Sequence, residues 1–102
     1  MNRGEIWLAQ VGRKRRPVLV LTRNEVLEVR SLVTVAEITS IVRGLAAEVP
    51  LDHELAGLDQ VSAINCDGLH TIPQTTLTRQ VGAIDQEDLK RVCSAIDYAL
   101  GC

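Results

Sequence analysis

Aromatic side chains are almost missing from this chain: Trp7 and Tyr98 are the only two among 102 residues, and phenylalanine is absent. The core must therefore be built from Val, Leu, Ile and Ala. A nucleic-acid surface that works by stacking bases on exposed rings is disfavoured for the same reason. Long apolar runs are missing as well. The longest stretch without Asp, Glu, Lys or Arg, Gly68–Thr78, is polar, so no segment is expected to span a membrane. Asn2, Arg3, Gly4 and Glu5 lead into a short strand-like run rather than an apolar one, which predicts no secretory signal. Cysteine is sparse: Cys66, Cys93 and Cys102 show no metal-ligand spacing, and only two histidines accompany them. They read as reduced thiols of a cytoplasmic protein that holds no metal. The chain also lacks a hydrolase Ser-His-Asp order, a Gly-rich phosphate loop and an HExxH motif, and no cofactor is expected.

What is present is an ordinary folded composition, 46% hydrophobic and 24% charged, at a length that suits one domain over residues 1–102. The formal charge is −2, yet Arg13, Lys14, Arg15 and Arg16 stand side by side and leave the remainder at −6. Overall charge does not draw in a polyanion, but a local basic patch does. Strands are expected at Arg3–Ala9, Pro17–Thr22 (buried on both faces), Leu32–Thr39 and Ala46–Leu51. Val61–Asn65 and His70–Ile72 bracket Cys66-Asp67-Gly68, which reads as a bulge or tight turn in which Gly68 permits positive φ. Arg79–Ile84 is the last expected strand. Leu89, Val92, Cys93, Ile96, Ala99 and Leu100 then follow helical spacing, with Asp85 as N-cap and Gly101 as the closing residue. Short, evenly spaced strands followed by one amphipathic helix predict a mainly β fold with α: a small curled β-barrel packed by a C-terminal helix.

Polar side chains gather at the strand ends: Arg16 before the second strand, Thr39 and Ser40 after the third, Asp67 and His70 around the Gly68 turn. This inventory suits a metal-free reaction on a substrate that carries its own nucleophile. RNA is such a substrate, because its 2′-hydroxyl attacks the adjacent phosphorus once a group accepts its proton and another neutralises the phosphoryl oxygens. Arg16 suits the second task, since a guanidinium forks onto two phosphate oxygens. Thr39 adds a hydrogen bond to the same group, and Asp67 or His70 carries the proton.

The stretches RGEIW at 3–7, RRPVLVLTRN at 15–24, VTVAEITS at 33–40 and CDGLHTIP at 66–73, followed by DQEDLKRVCSAIDYALG, resemble in this order the MazF/PemK (Kid) family of toxin endoribonucleases. The resemblance implies an SH3-like, CcdB/PemK-type barrel and a homodimer. It also implies metal-independent, sequence-specific cleavage of single-stranded RNA (mRNA, tRNA or rRNA) to a 2′,3′-cyclic phosphate and a 5′-hydroxyl, and neutralisation by a cognate antitoxin. Arg16 and Thr39 match the pair that the family uses at the scissile phosphate. Asp67 matches the aspartate that the Kid branch places beside it, in a CDQP-like setting written here CDGL. Because arginine resists deprotonation, Arg16 is assigned to charge stabilisation and Asp67 to the base. His70, of a residue type that ordinarily changes charge near neutrality, is the alternative proton carrier. Arg13, Lys14 and Arg15 on a short loop, with Ser40 and Asn65, form the expected RNA-binding set. Two departures stand out. The loop before Arg16 is about half the length seen in many relatives, and Asn65 and His70 stand where relatives carry arginine. Two other functions remain open: a CcdB-like gyrase-binding toxin, and an inactive nucleic-acid-binding barrel.

Overall fold

A computed structural model describes residues 1–101. Its elements are β1 (Glu5–Val11), β2 (Lys14–Val20), a short α1 (Asn24–Leu27), β3 (Leu32–Thr39), β4 (Glu48–Leu51), β5 (Ser62–Pro73), a 3₁₀ turn (Gln74–Thr76), β6 (Leu77–Ala83) and α2 (Gln86–Leu100). The six strands form one antiparallel sheet in the order β4-β5-β3-β2-β1-β6.

Side chains alternate across a strand, so both faces of the central strands can be apolar. On β2, Leu19 packs with Ile6, Ala36, Ile38, Val49, Ile64 and Val92 on one face. Val18 and Val20 pack with Ala9, Leu27, Val33, Val35 and Leu77 on the other. The expectation of a second strand buried on both faces therefore holds. α2 covers the first face by burying Val92 and Ala95. It is capped as the sequence predicts: Asp85 accepts from the Asp88 N–H at 2.8 Å, and Gly101 closes the helix at φ 70°.

The hydrogen-bonded ladder does not run from β4 round to β6; backbone packing seals the gap. Gly57, in the segment after β4, lies against the Val81 carbonyl, and Gly82 on β6 lies against the Ala56 carbonyl. A Cβ at either glycine would enter the opposing backbone. The barrel-like curl thus closes through two glycines rather than through strand pairing.

Two differences from expectation bear on the site. β2 begins at Lys14 rather than Pro17, because Gly12, at φ 62°, allows a two-residue turn pairing Val11 with Lys14. Pro17 is tolerated inside β2 because the β2–β3 ladder starts only at Val18. Gly68 is needed for a different reason than the one expected. It is not among the glycines with positive φ; instead, a Cβ there would run into the Glu37 carboxylate and the Asn65 amide.

Candidate functional site

Register explains why the polar residues meet. The β2–β3 ladder ends at the Val18–Glu37 pair, and Glu37 also faces Asn65 across β5. Directly opposed residues on an antiparallel sheet project to one face, as do residues two apart on a strand. Arg16, Glu37, Thr39 and Asn65 therefore project to the face that carries Val18 and Val35, and His70, opposite Val35, joins them. One sheet face is apolar along Val20, Val33 and Val35 and turns polar where β2 and β3 part.

β5 supplies the remaining geometry. Its pairing with β3 slips between Ala36–Leu69 and Glu37–Asn65, so Cys66, Asp67 and Gly68 form a three-residue bulge inside one continuous strand. The Cys66 thiol turns inward among the core side chains, and the Cys66 N–H donates to the Ala47 carbonyl at 2.9 Å. The Asn65 side-chain oxygen accepts from the Asp67 N–H at 3.1 Å, holding the bulge in shape. Asp67 is thereby presented to solvent.

These residues line one open groove of about 1420 Å³. Lys14, Arg15, Arg16, Thr39, Ser40, Asn65, Asp67 and His70, all expected at the site, border it. Arg13 does not; it sits in the β1–β2 turn, away from the groove lining. Lys14 and Arg15, expected on a loop, are strand residues paired with Val11 and Gln10, and Arg16 is paired with Ala9. Their backbone is therefore fixed by the hairpin. The Thr39 hydroxyl oxygen accepts from the Ile41 N–H at 3.1 Å, which leaves its own hydrogen for an acceptor in the groove.

Five charged lining residues were not anticipated: Glu37, Arg43, Glu48, Asp59 and Arg79. Glu37 was legible in principle, since the alternation of Val33 and Val35 places positions 37 and 39 on one face. Its Oε1 lies 3.0 Å from His70 Nε2. Arg43 and Arg79 lie in a loop and on the last strand, outside the motifs quoted above.

Chemically, the groove offers forked cations, a hydroxyl donor, an imidazole and carboxylates. Thiol chemistry is not on offer: burial, with Asp67 alongside, pushes the Cys66 thiol up to about 11, so it stays protonated. Cys66 and Cys93 are both free thiols, and Cys102 lies outside the described residues. Among the described residues, no three of His, Cys, Asp and Glu come together as a metal-binding group.

Comparison with known proteins places the chain in a family. The endoribonuclease MazF3 of Mycobacterium tuberculosis is 52% identical over 94 residues, covering 92% of this chain and 89% of the relative. The solved structure of the Mycobacterium tuberculosis toxin MazF-mt6 superposes with a TM-score of 0.88 at 43% identity, over 95% of this chain and 96% of that one. A crystal structure of MazE-MazF from Deinococcus radiodurans gives a TM-score of 0.84 at 25% identity, covering 100% and 97%. Residues 2–100 match the family described as PemK-like, MazF-like toxins of type II toxin–antitoxin systems, and the chain belongs to that family.

Proposed function

We propose that this MazF-family endoribonuclease toxin cuts single-stranded RNA in the groove between β2, β3 and β5, by attack of the 2′-hydroxyl on the adjacent phosphorus. The products are a 2′,3′-cyclic phosphate and a 5′-hydroxyl, formed without a metal ion or other cofactor. Arg16 neutralises the phosphoryl oxygens, the Thr39 hydroxyl donates to the same group, and Asp67 or His70 takes the 2′-hydroxyl proton. Lys14 and Arg15, with Arg43 and Arg79, hold the phosphate chain. The observation that carries this reading is the convergence of Arg16, Thr39, Asp67 and His70, from three separate strands, on one groove.

Partners follow from the same reading. A cognate antitoxin segment, acidic and flexible, suits the basic lip of the groove and would compete with RNA for it. The crystallised MazE-MazF pair from Deinococcus radiodurans supports such a partner. The active species is a cytoplasmic homodimer with a two-fold interface. Tyr98 and Leu100 on α2, with Leu32, are large exposed apolar side chains that suit it. No helix among the described residues is long and apolar enough to cross a membrane.

The test is incubation of purified protein with a long single-stranded RNA in EDTA, followed by mapping of the ends. Discrete cuts bearing cyclic phosphates support the proposal. Intact RNA, with inhibited gyrase supercoiling, would establish the CcdB-like alternative instead, against which the relatives named as endoribonucleases weigh.

A further inference from the structure

Glu37 has no part in the reaction as set out above, yet it lines the same groove. Its Oε1 lies 3.0 Å from Nε2 of His70, and the two side chains are 48% and 50% exposed. Gly68 makes room for this carboxylate, because a Cβ there would collide with it. Asp67 differs: Asn65 holds its N–H, but its carboxylate has no hydrogen-bonding or ion-pair partner among the described residues. The β5 bulge thus brings one carboxylate onto one imidazole and leaves the other carboxylate to solvent.

We propose that Glu37 is the positioning residue for His70, and that His70 rather than Asp67 takes the proton of the attacking 2′-hydroxyl; this rests on the endoribonuclease reading. With Nε2 donating its hydrogen to Glu37, the ring is fixed as the tautomer with a bare Nδ1. The 2′-hydroxyl proton passes to Nδ1 as the O2′–P bond forms and the P–O5′ bond breaks. The departing O5′ takes a proton from water, and the hydroxide so formed is neutralised by the proton that the imidazolium gives back. Glu37 itself is never protonated; it holds the ring and stabilises the imidazolium.

Other charged groups line the same groove. Lys14, Arg15 and Arg16 approach from β2, Arg79 from β6, Arg43 and Glu48 from the β3–β4 side, Asp59 from before β5, and Asp67 from β5 itself. The cations oppose a positive imidazolium in the same groove. Glu37 is the carboxylate in direct contact with the ring, and so offsets them most strongly.

The experiment is the pH dependence of kcat and KM for cleavage of a short RNA in EDTA, with circular dichroism confirming that each variant is folded. Wild-type kcat is expected to rise with pH along one limb. Glu37→Gln should lower the plateau roughly tenfold or more with little change in KM, because the ring is no longer held by a carboxylate. Glu37→Asp, which keeps the carboxylate, should recover part of that plateau. His70→Ala should abolish the limb, and Asp67→Asn should retain it. A wild-type profile in Glu37→Gln would overturn the inference, and so would a limb kept in His70→Ala but lost in Asp67→Asn. In both of those cases wild-type cleavage leaves the endoribonuclease reading intact. RNA left uncut by the wild-type protein would overturn both.

Discussion

Arg16 and Arg13 share a chemistry but not a placement. Arg16 is paired with Ala9 on β1 and projects with Glu37 and Thr39 beyond the end of the β2–β3 ladder, whereas Arg13 occupies a turn outside the groove. A preorganised cation contributes to the transition state, and a swinging one contributes mainly to attraction. Arg16→Ala should therefore lower kcat roughly 10²- to 10³-fold, while the melting curve stays that of the wild type. Gly68→Ala offers a finer check. The new methyl group meets the tip of a flexible side chain, so stability should change little, but Glu37 must leave His70. The expected result is a pH–rate profile like that of Glu37→Gln with an almost unchanged Tm. At this scale Arg16, Thr39, Asp67 and His70 were legible from residue type and strand position. For Glu37, alternation gave the face it shares with Thr39 but not its partner, because only cross-strand register brings His70 alongside.

The N-terminal element illustrates how a motif shared with the family can be structural. Glu5 Oε1 accepts from the Trp7 indole N–H at 3.0 Å and from the Asn2 N–H at 2.8 Å. Partial burial works to raise the carboxyl's pKa, but these bonds outweigh it, and the net shift is downward. A depressed carboxyl stabilises the fold above its unfolded value and loses that contribution as pH falls through the folded one. Glu5→Gln should therefore be less stable than wild type near neutrality, and the difference should shrink below pH 4.5 in urea titrations. At the other end, Asp85→Ala removes the α2 cap and should cost about 0.5–2 kcal/mol. Helix α2 and its caps were readable almost to the residue, since spacing and capping chemistry are local. The β1–β2 hairpin was not, because Pro17 masked a strand that began at Lys14. Neither was α1, whose four residues are too short for periodicity to register.

At the scale of the whole molecule, closure and charge decide what the fold can do. The sheet curls until the Ala56-Gly57 backbone meets Val81-Gly82, a contact that no sequence pattern announces. Gly57→Ala should destabilise the protein by about 1–3 kcal/mol or more, read as a lowered Tm, since neither backbone has space to give. The groove mixes cations with carboxylates, so RNA affinity should depend on salt only through the phosphates actually touched. For single strands the logarithmic slope is roughly −0.7 per phosphate. Lys14→Ala and Arg15→Ala should each flatten it by about that amount, and Arg13→Ala should leave it unchanged. The overall architecture was legible from short strands and one closing helix; the means of closure was not.

The most direct test of the central claim, that Arg16 in this groove drives metal-free RNA cleavage, is a side-by-side digestion in EDTA. Wild-type protein and Arg16→Ala, both shown to be folded, are incubated with one long single-stranded RNA, and the product ends are mapped. The account predicts discrete wild-type cuts ending in 2′,3′-cyclic phosphate and 5′-hydroxyl, and their near-complete loss in the variant. Equal cleavage by the two proteins, or cleavage that appears only when a metal ion is added, would contradict it.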